Sequence, residues 1–213
     1  MDLKDIYRNR FVNKEERVKM WKILVEDFFQ KYIGKGDVVL DIPCGYCEFI
    51  NNVKCKKKIA IDLNGDGKKY TGSGVSFYKS SSTKLPLKDK SVDKIFVSNF
   101  FEHLNRGDIQ KTIGEFRRVL RNGGQVLVLQ PNIRFCQKDY WMFFDHITPI
   151  DDRALDEVFN ANGFNLKQKV LRFLPYTTKG KMPVNQTLIK LYLKLPFFWK
   201  VFGKQSFMIF ERR

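Results

Sequence analysis

Val38-Val-Leu-Asp41-Ile-Pro43-Cys44-Gly45-Tyr46-Cys47-Glu48-Phe-Ile50, followed after a polar gap by Ile59-Ala-Ile-Asp62-Leu63-Asn64, decides the fold of this 213-residue chain. An apolar run ends in an acid and a glycine turn, a short helical pattern follows, and a second apolar run ends in another acid about 20 residues on. This is the pattern of a β-turn-α-β nucleotide site. The turn lets a ligand come close to the backbone, and Asp62, at the tip of the second strand, is placed to accept hydrogen bonds from both hydroxyls of a ribose.

The turn also says which nucleotide. A dinucleotide fingerprint puts glycines at the positions of Pro43, Gly45 and Glu48, and a carboxylate at the helix start repels a pyrophosphate. NAD and FAD are therefore disfavoured. No Gly-Lys-Ser or Gly-Lys-Thr follows the strand, so the phosphate-cradling loop of nucleotide hydrolases is absent as well. A nucleoside without phosphates remains.

On these residues the sequence resembles the class I S-adenosylmethionine-dependent methyltransferases, whose first motif is an acid, an apolar residue and Gly-x-Gly-x-Gly at the end of the first strand. Here that motif reads Asp41-Ile-Pro43-Cys44-Gly45-Tyr46-Cys47, with the middle glycine kept and with Pro43 and Cys47 where the backbone approaches the cofactor. The resemblance covers most of residues 12 to 173 and the last strand. It implies a Rossmann-like α/β fold with a seven-stranded, mostly parallel sheet, an antiparallel last strand and helices on both faces. S-adenosyl-L-methionine is the implied cofactor, held by Asp41, Pro43, Cys44, Gly45, Asp62 and Leu63.

The net charge of +16 and an isoelectric point of about 9.7 favour an anionic partner, whether nucleic acid, membrane surface or phosphorylated substrate. The charged opening from Met1 to Arg17 does not read as a signal peptide, and no apolar run approaches the roughly 18 residues of a spanning helix. A cytoplasmic protein is expected. Cys44, Cys47, Cys55 and Cys136 make no disulfide framework in such a compartment. Cys44 and Cys47 have the spacing of a redox pair, but that fold needs neither this chain length nor the Asp62 strand. Zinc is disfavoured because Cys55 and Cys136 form no second pair, and no metal is expected.

The chain reads as one domain over residues 1–213, with a helical extension over 1–36 and a basic amphipathic insertion over 174–204. The extension is helical from about Glu15, with Val18, Trp21, Leu24, Val25 and Phe28 on its apolar face and Gly34 and Gly36 as its stop. This segment reads as a helix packed on the sheet; the alternative, which the resemblance suggests, is that Tyr7, Arg10 and Phe11 form a lid over the cofactor. Strands are predicted at Val75–Tyr78, Ser91–Ser98, Gln125–Gln130, Asn165–Phe173 and Ser206–Glu211, and helices at Ile109–Leu120 and Asp151–Asn162. In the resembled family an acid that meets adenine occupies the position of Ser81, four residues before Leu85-Pro86. Either the backbone of Ser81 and Ser82 serves instead, or this serine run is a solvated loop.

Ligands of open α/β sheets sit at the carboxyl ends of the central strands. That places Ser98, Asn99, Glu102 and His103 beside the methionyl part of the cofactor and the acceptor entrance. The long aromatic loop from Pro131 to Ile150 is read as a wall of the acceptor pocket containing a short helix, with Tyr140 and Trp141 as acceptor contacts. A hydroxyl acceptor needs a base, and the two histidines, His103 and His146, both fall beside this crevice. One of them is expected to be the base or to bind the acceptor, with Asp145 orienting it.

From Asn165 to the end there are eleven basic residues and one acid, Glu211. The insertion there suits an interfacial helix at anionic lipid, or a lid over a lipid-linked or phosphorylated acceptor. Its apolar face capping the domain's own core is the alternative. Within the family, Asp145-His146 after the aromatic loop and the basic insertion look most like bacterial methyltransferases of surface-polysaccharide assembly. The resemblance therefore implies methylation of a saccharide or lipid-linked glycan hydroxyl at the inner membrane surface. Two competing readings are an RNA or other small-molecule methyltransferase, motivated by the same charge, and a non-catalytic relative that binds a membrane surface.

Overall fold

The computed structural model describes residues 14–176 and 185–213; Tyr7, Arg10 and Phe11, the alternative lid, lie outside the described residues. β1 (Val38–Asp41), β2 (Lys57–Asp62), β3 (Val75–Lys79), β4 (Val92–Ser98), β5 (Leu120–Pro131), β6 (Phe164–Val170) and β7 (Gln205–Arg212) form one sheet in the order β3-β2-β1-β4-β5-β7-β6. The pairs from β3 to β5 are parallel, and β7 runs antiparallel to both β5 and β6.

Strands covered on both faces must be apolar on both, which explains the uninterrupted runs in β1, β4 and β5. Alternate residues feed opposite cores. Leu40, Ile95, Val97 and Val128 face Ile109, Ile113 and Phe116 of α3 (Arg106–Val119) and Leu155 and Phe159 of α5 (Asp152–Ala161). Val39, Phe96, Leu127 and Phe207 face Trp21, Leu24, Val25 and Phe28 of α1 (Lys14–Asp27) and Phe49 of α2 (Glu48–Asn52). The Phe49 and Phe96 rings stack 3.7 Å apart, and each such buried ring contributes about 1.5–3 kcal/mol. Val18, expected on the apolar face of α1, is instead exposed.

Side chains fix the helix starts. Asn105 accepts from the backbone of Asp108 at α3, and Asp151 accepts from Arg153 and Ala154 at α5; each satisfies amides that a helix end leaves open. Two boundaries differ from expectation. β5 begins at Leu120, straight out of α3, because Gly123 takes a φ of +72° and the ladder with β4 shifts register between Val92 and Lys94. β6 ends at Val170, since the chain leaves the sheet to bury Phe173 against Phe28 and Trp199.

The insertion forms α6 (Gln186–Lys194) and α7 (Pro196–Phe202), with α4 (Ile133–Tyr140) the helix inside the aromatic loop. Leu193 is buried in the second core, with Ile189, Tyr192 and Trp199 packed on it. Leu188, Leu191, Leu195, Phe197, Val201 and Phe202 remain exposed. The insertion thus caps the core with one face and presents apolar side chains on the other. Among the described residues no helix is long and apolar enough to cross a membrane.

Candidate active site

The turn after β1 is stitched to both neighbouring strands: Ile42 N donates to Phe96 O at 3.0 Å and Cys44 N to Ile61 O at 3.0 Å. Gly45 has a φ of +50°, and a Cβ placed on it would meet nothing within 4 Å, so the peptide faces open space. Its N–H donates to Asp62 Oδ2 at 2.9 Å, while Asp62 Oδ1 accepts from Asn64 N at 2.8 Å. A carboxylate has about four acceptor positions, so Asp62 is held rigidly with capacity left for a diol. Burial pushes its carboxyl above the usual range, against the hydrogen bonds from Asn64, Gly45 and Leu63 that pull it back. Leu63, next to it, is 70 % exposed.

Cys47 sits at a φ of +59° at the start of α2, yet its side chain does not fill the crevice. The thiol is buried and donates to Gly67 O at 3.6 Å. The glycine requirement has moved to the next loop. A Cβ on Gly67 would come within 2.9 Å of the Phe77 ring and 3.1 Å of Gly45 O, so only glycine lets the two loops meet.

Two buried oxygens at adjacent strand tips have no hydrogen-bond partner among the described residues, Asp41 Oδ2 on β1 and Asn99 Oδ1 after β4. Burial, then the neighbouring Cys47, holds the Asp41 carboxyl well above the usual range. Asn99 adopts a φ of +49°, its N–H donating to Leu129 O at 2.9 Å and its amide to Ser98 Oγ at 3.1 Å. Buried acceptors without donors are rare and call for a partner. A ligand amino group supplies one, so these residues fit S-adenosylmethionine.

Ser81 and Ser82 are placed less directly. Ser82 is buried with its hydroxyl 2.8 Å from that of Thr112, and the Ser81 hydroxyl lies 2.8 Å from that of Thr83. Both hydroxyls are spent within the protein, which leaves backbone groups for any ligand.

Beyond Asn99, the turn Phe101–His103 carries Glu102 into the interior, 1 % exposed. Glu102 Oε2 accepts from Gln130 Nε2 at 2.7 Å, and Oε1 lies 3.9 Å from Nε2 of both His103 and His146. Burial raises the Glu102 carboxyl, while His103 and the Gln130 hydrogen bond work against the rise. The backbone oxygen of Glu102 accepts from Ile147 N and Thr148 N, locking the aromatic loop onto the turn after β4. Asp145 orients His103, its carboxylate 3.2 Å from Nδ1 and its carbonyl 3.0 Å away. The acid thus reaches a histidine 42 positions away in the chain. The two imidazole rings lie 4.8 Å apart.

Tyr140 is fully buried. Its hydroxyl donates to Thr148 O at 2.7 Å and accepts from Ile150 N at 3.2 Å, and its ring packs on His146. It therefore braces the pocket wall from behind. Trp141, 53 % exposed, and the exposed Met142, Phe144 and Ile147 stand at the rim.

Residues 40–128 match the family model described as a methyltransferase domain. Over that stretch the chain is similar to methyltransferase domains. An uncharacterized protein of Methanocaldococcus jannaschii is 26 % identical to this chain over 191 residues, covering 86 % of this chain and 78 % of the relative. A solved structure of a SAM-dependent methyltransferase from Archaeoglobus fulgidus superposes with a TM-score of 0.69 at 19 % identity over the whole of both chains. A Thermotoga maritima structure described as a SAM-dependent methyltransferase, possible histamine N-methyltransferase, gives 0.68 at 18 % identity, covering 97 % of this chain and 98 % of its own. Both share the fold seen here.

Cys44 and Cys47 are free thiols. A hydrogen bond between them, then burial, raises Cys44 far above an ordinary thiol, the reverse of what a reactive redox pair needs. Gln130, which holds Glu102, was not among the expected site residues; the signal for it was a polar side chain ending the apolar run of β5. A basic cleft lined by Lys90, Arg117, Arg118 and Arg212 lies at the opposite end of the parallel strands, away from this chemistry.

Proposed function

We propose that this protein is an S-adenosylmethionine-dependent methyltransferase that carries a methyl group to a hydroxyl of a saccharide, on a glycan precursor presented at an anionic membrane surface. The observation that carries this reading is the cluster of Glu102, His103 and His146 beside the crevice at the strand tips, with Asp145 on His103. Bound S-adenosylmethionine supplies a methyl on a sulfonium, electrophilic without further activation. Asp62 and the exposed Leu63 hold the nucleoside, one by its ribose hydroxyls and the other against the base. Asp41 and Asn99 take the amino group, and the backbone of Gly45 lies against the ligand.

The remaining task is the acceptor's proton, and positioning it at near-attack distance is most of the catalysis. Asp145 fixes the Nδ1 proton of His103, leaving Nε2 to accept the hydroxyl proton. Trp141 at the rim offers an apolar face for a sugar ring. Transfer of labelled methyl to lipid-linked glycan fractions in a base-stable ether is the expected result. Label recovered in RNA would instead favour the nucleic-acid reading.

The charged form of Asp62 is the one that accepts from a diol, and burial raises its pKa above the ordinary value of about 3.9. Affinity for S-adenosylhomocysteine is therefore full above the raised pKa and falls as pH drops through it, approaching tenfold per unit. Calorimetric titrations at descending pH are expected to show the loss beginning above the range of an exposed aspartate. An affinity unchanged down to that range contradicts the assignment.

The exposed apolar row on α6 and α7 lies among Lys190, Lys194 and Lys200, which is the composition of an interfacial helix. Cosedimentation with vesicles containing phosphatidylglycerol is expected, and much less with phosphatidylcholine alone. Phe197→Glu, which removes a side chain 70 % exposed, is expected to weaken binding about tenfold or more, since seating a phenylalanine in an apolar phase contributes about 1.5–3 kcal/mol. Equal binding by the variant removes the membrane from this proposal.

A further inference from the structure

We infer that Glu102, His103 and His146 form a binding site for a first-row divalent transition-metal cation. The inference deepens the proposed function and rests on it for the cation's task, but the site itself stands on geometry. One ring nitrogen of His103, one of His146 and a carboxylate oxygen of Glu102 all lie within 4.8 Å of one another. The 3.9 Å from Oε1 to each Nε2 is too long for a hydrogen bond. It is near the separation of about 3.3–3.6 Å that follows from metal bonds of about 2.0–2.2 Å in a tetrahedral site. Small side-chain rotations close the difference.

What surrounds the three atoms is what a metal site requires. Asp145 engages Nδ1 of His103, which turns the Nε2 lone pair toward the cluster, and Gln130 holds the other oxygen of Glu102. Ligands in metalloproteins are oriented in this manner by carboxylates and amides behind them. Glu102 Oε1 is buried without a hydrogen-bond partner among the described residues, and a cation supplies the compensation that such an oxygen lacks. The two segments bearing the ligands are fixed to each other by the Glu102 carbonyl, which accepts from both Ile147 and Thr148.

Two imidazoles and one carboxylate select zinc, manganese, iron or cobalt over magnesium or calcium. The expectation of no metal rested on the cysteines, and this site uses none of them. Three protein ligands leave a position open, as in catalytic sites, and His103, 15 % exposed at its side chain, marks the open side. When the cation is bound, both Nε2 atoms are occupied and cannot take a proton. The cation then does the same work by lowering the pKa of a hydroxyl that ligates it.

The test is titration of Co2+ and Zn2+ into the full-length protein after dialysis against chelator, followed by calorimetry and by the visible absorption of Co2+. Expected are one cation per chain at micromolar affinity or better, a nitrogen/oxygen-type spectrum, displacement by Zn2+, and no competition from Mg2+. Glu102→Gln and His103→Asn are each expected to weaken binding at least tenfold. Millimolar or absent binding, a thiolate charge-transfer band, or undiminished binding in both variants overturns the site. His146→Asn is informative if it folds, and the other two variants decide if it does not. S-adenosylhomocysteine titrated into the same samples separates the claims: cofactor binding without cation binding removes only the metal, and the converse removes only the cofactor reading.

Discussion

Replacing Asp62 by alanine is expected to weaken S-adenosylhomocysteine binding about 100-fold or more. Two charge-assisted hydrogen bonds to a ribose are worth about 1.5–3 kcal/mol each, so about 3–6 kcal/mol is at stake. The same substitution frees the N–H groups of Gly45 and Asn64, which the carboxylate now holds, and the turn that meets the ligand loses its anchor. Asp62→Asn separates the two effects. It keeps one acceptor for the loop and loses the charge, and an intermediate affinity is expected. The measurement is equilibrium dialysis with labelled ligand alongside thermal unfolding. A variant that is folded and binds as tightly as the wild type would place the ribose elsewhere.

Removing the imidazoles is expected to act on turnover and not on the cofactor. A positioned general base contributes about 10²–10⁴-fold, so His103→Ala should lower kcat by that order while leaving S-adenosylhomocysteine affinity within a few-fold. His146, buried against Tyr140, is better replaced by asparagine, which limits the cavity left behind. If both variants keep full turnover on the accepted substrate, the cluster has no part in the acceptor's chemistry.

The difference between these residues is also a difference in legibility. Asp41 and Asp62 were readable because each ends an apolar run that can only be a buried strand, and a strand tip in a parallel sheet is where ligands sit. The two-faced cores were expected only through the family resemblance. Cys47 was not readable in the same way. The pattern says where a glycine is missing, but not that the thiol turns into the core and that Gly67, in the next loop, takes over the close approach.

The histidine cluster shows the same limit. His103 and His146 could be placed at one crevice from the strand order. That Asp145 reaches across to His103 depends on how the aromatic loop folds back, which the Glu102 carbonyl decides. Tyr140 looked like an acceptor contact because it is aromatic and in the loop, and its burial behind His146 is a tertiary outcome. In α6 and α7 the sequence offered two alternatives, core cap and exposed apolar face, and the structure divides the side chains between them, with Leu193 and Trp199 inward and Phe197 and Phe202 outward.

The most direct test of the account is calorimetric titration of S-adenosylhomocysteine into the purified wild-type protein at neutral pH. Saturable binding of one ligand per chain in the micromolar range is predicted, since the strand tips offer the fixed Asp62 carboxylate, the open face of Gly45 and two buried acceptors awaiting donors. A folded protein that gives no binding heat at several temperatures would contradict it, and the fold would then be serving something other than methyl transfer.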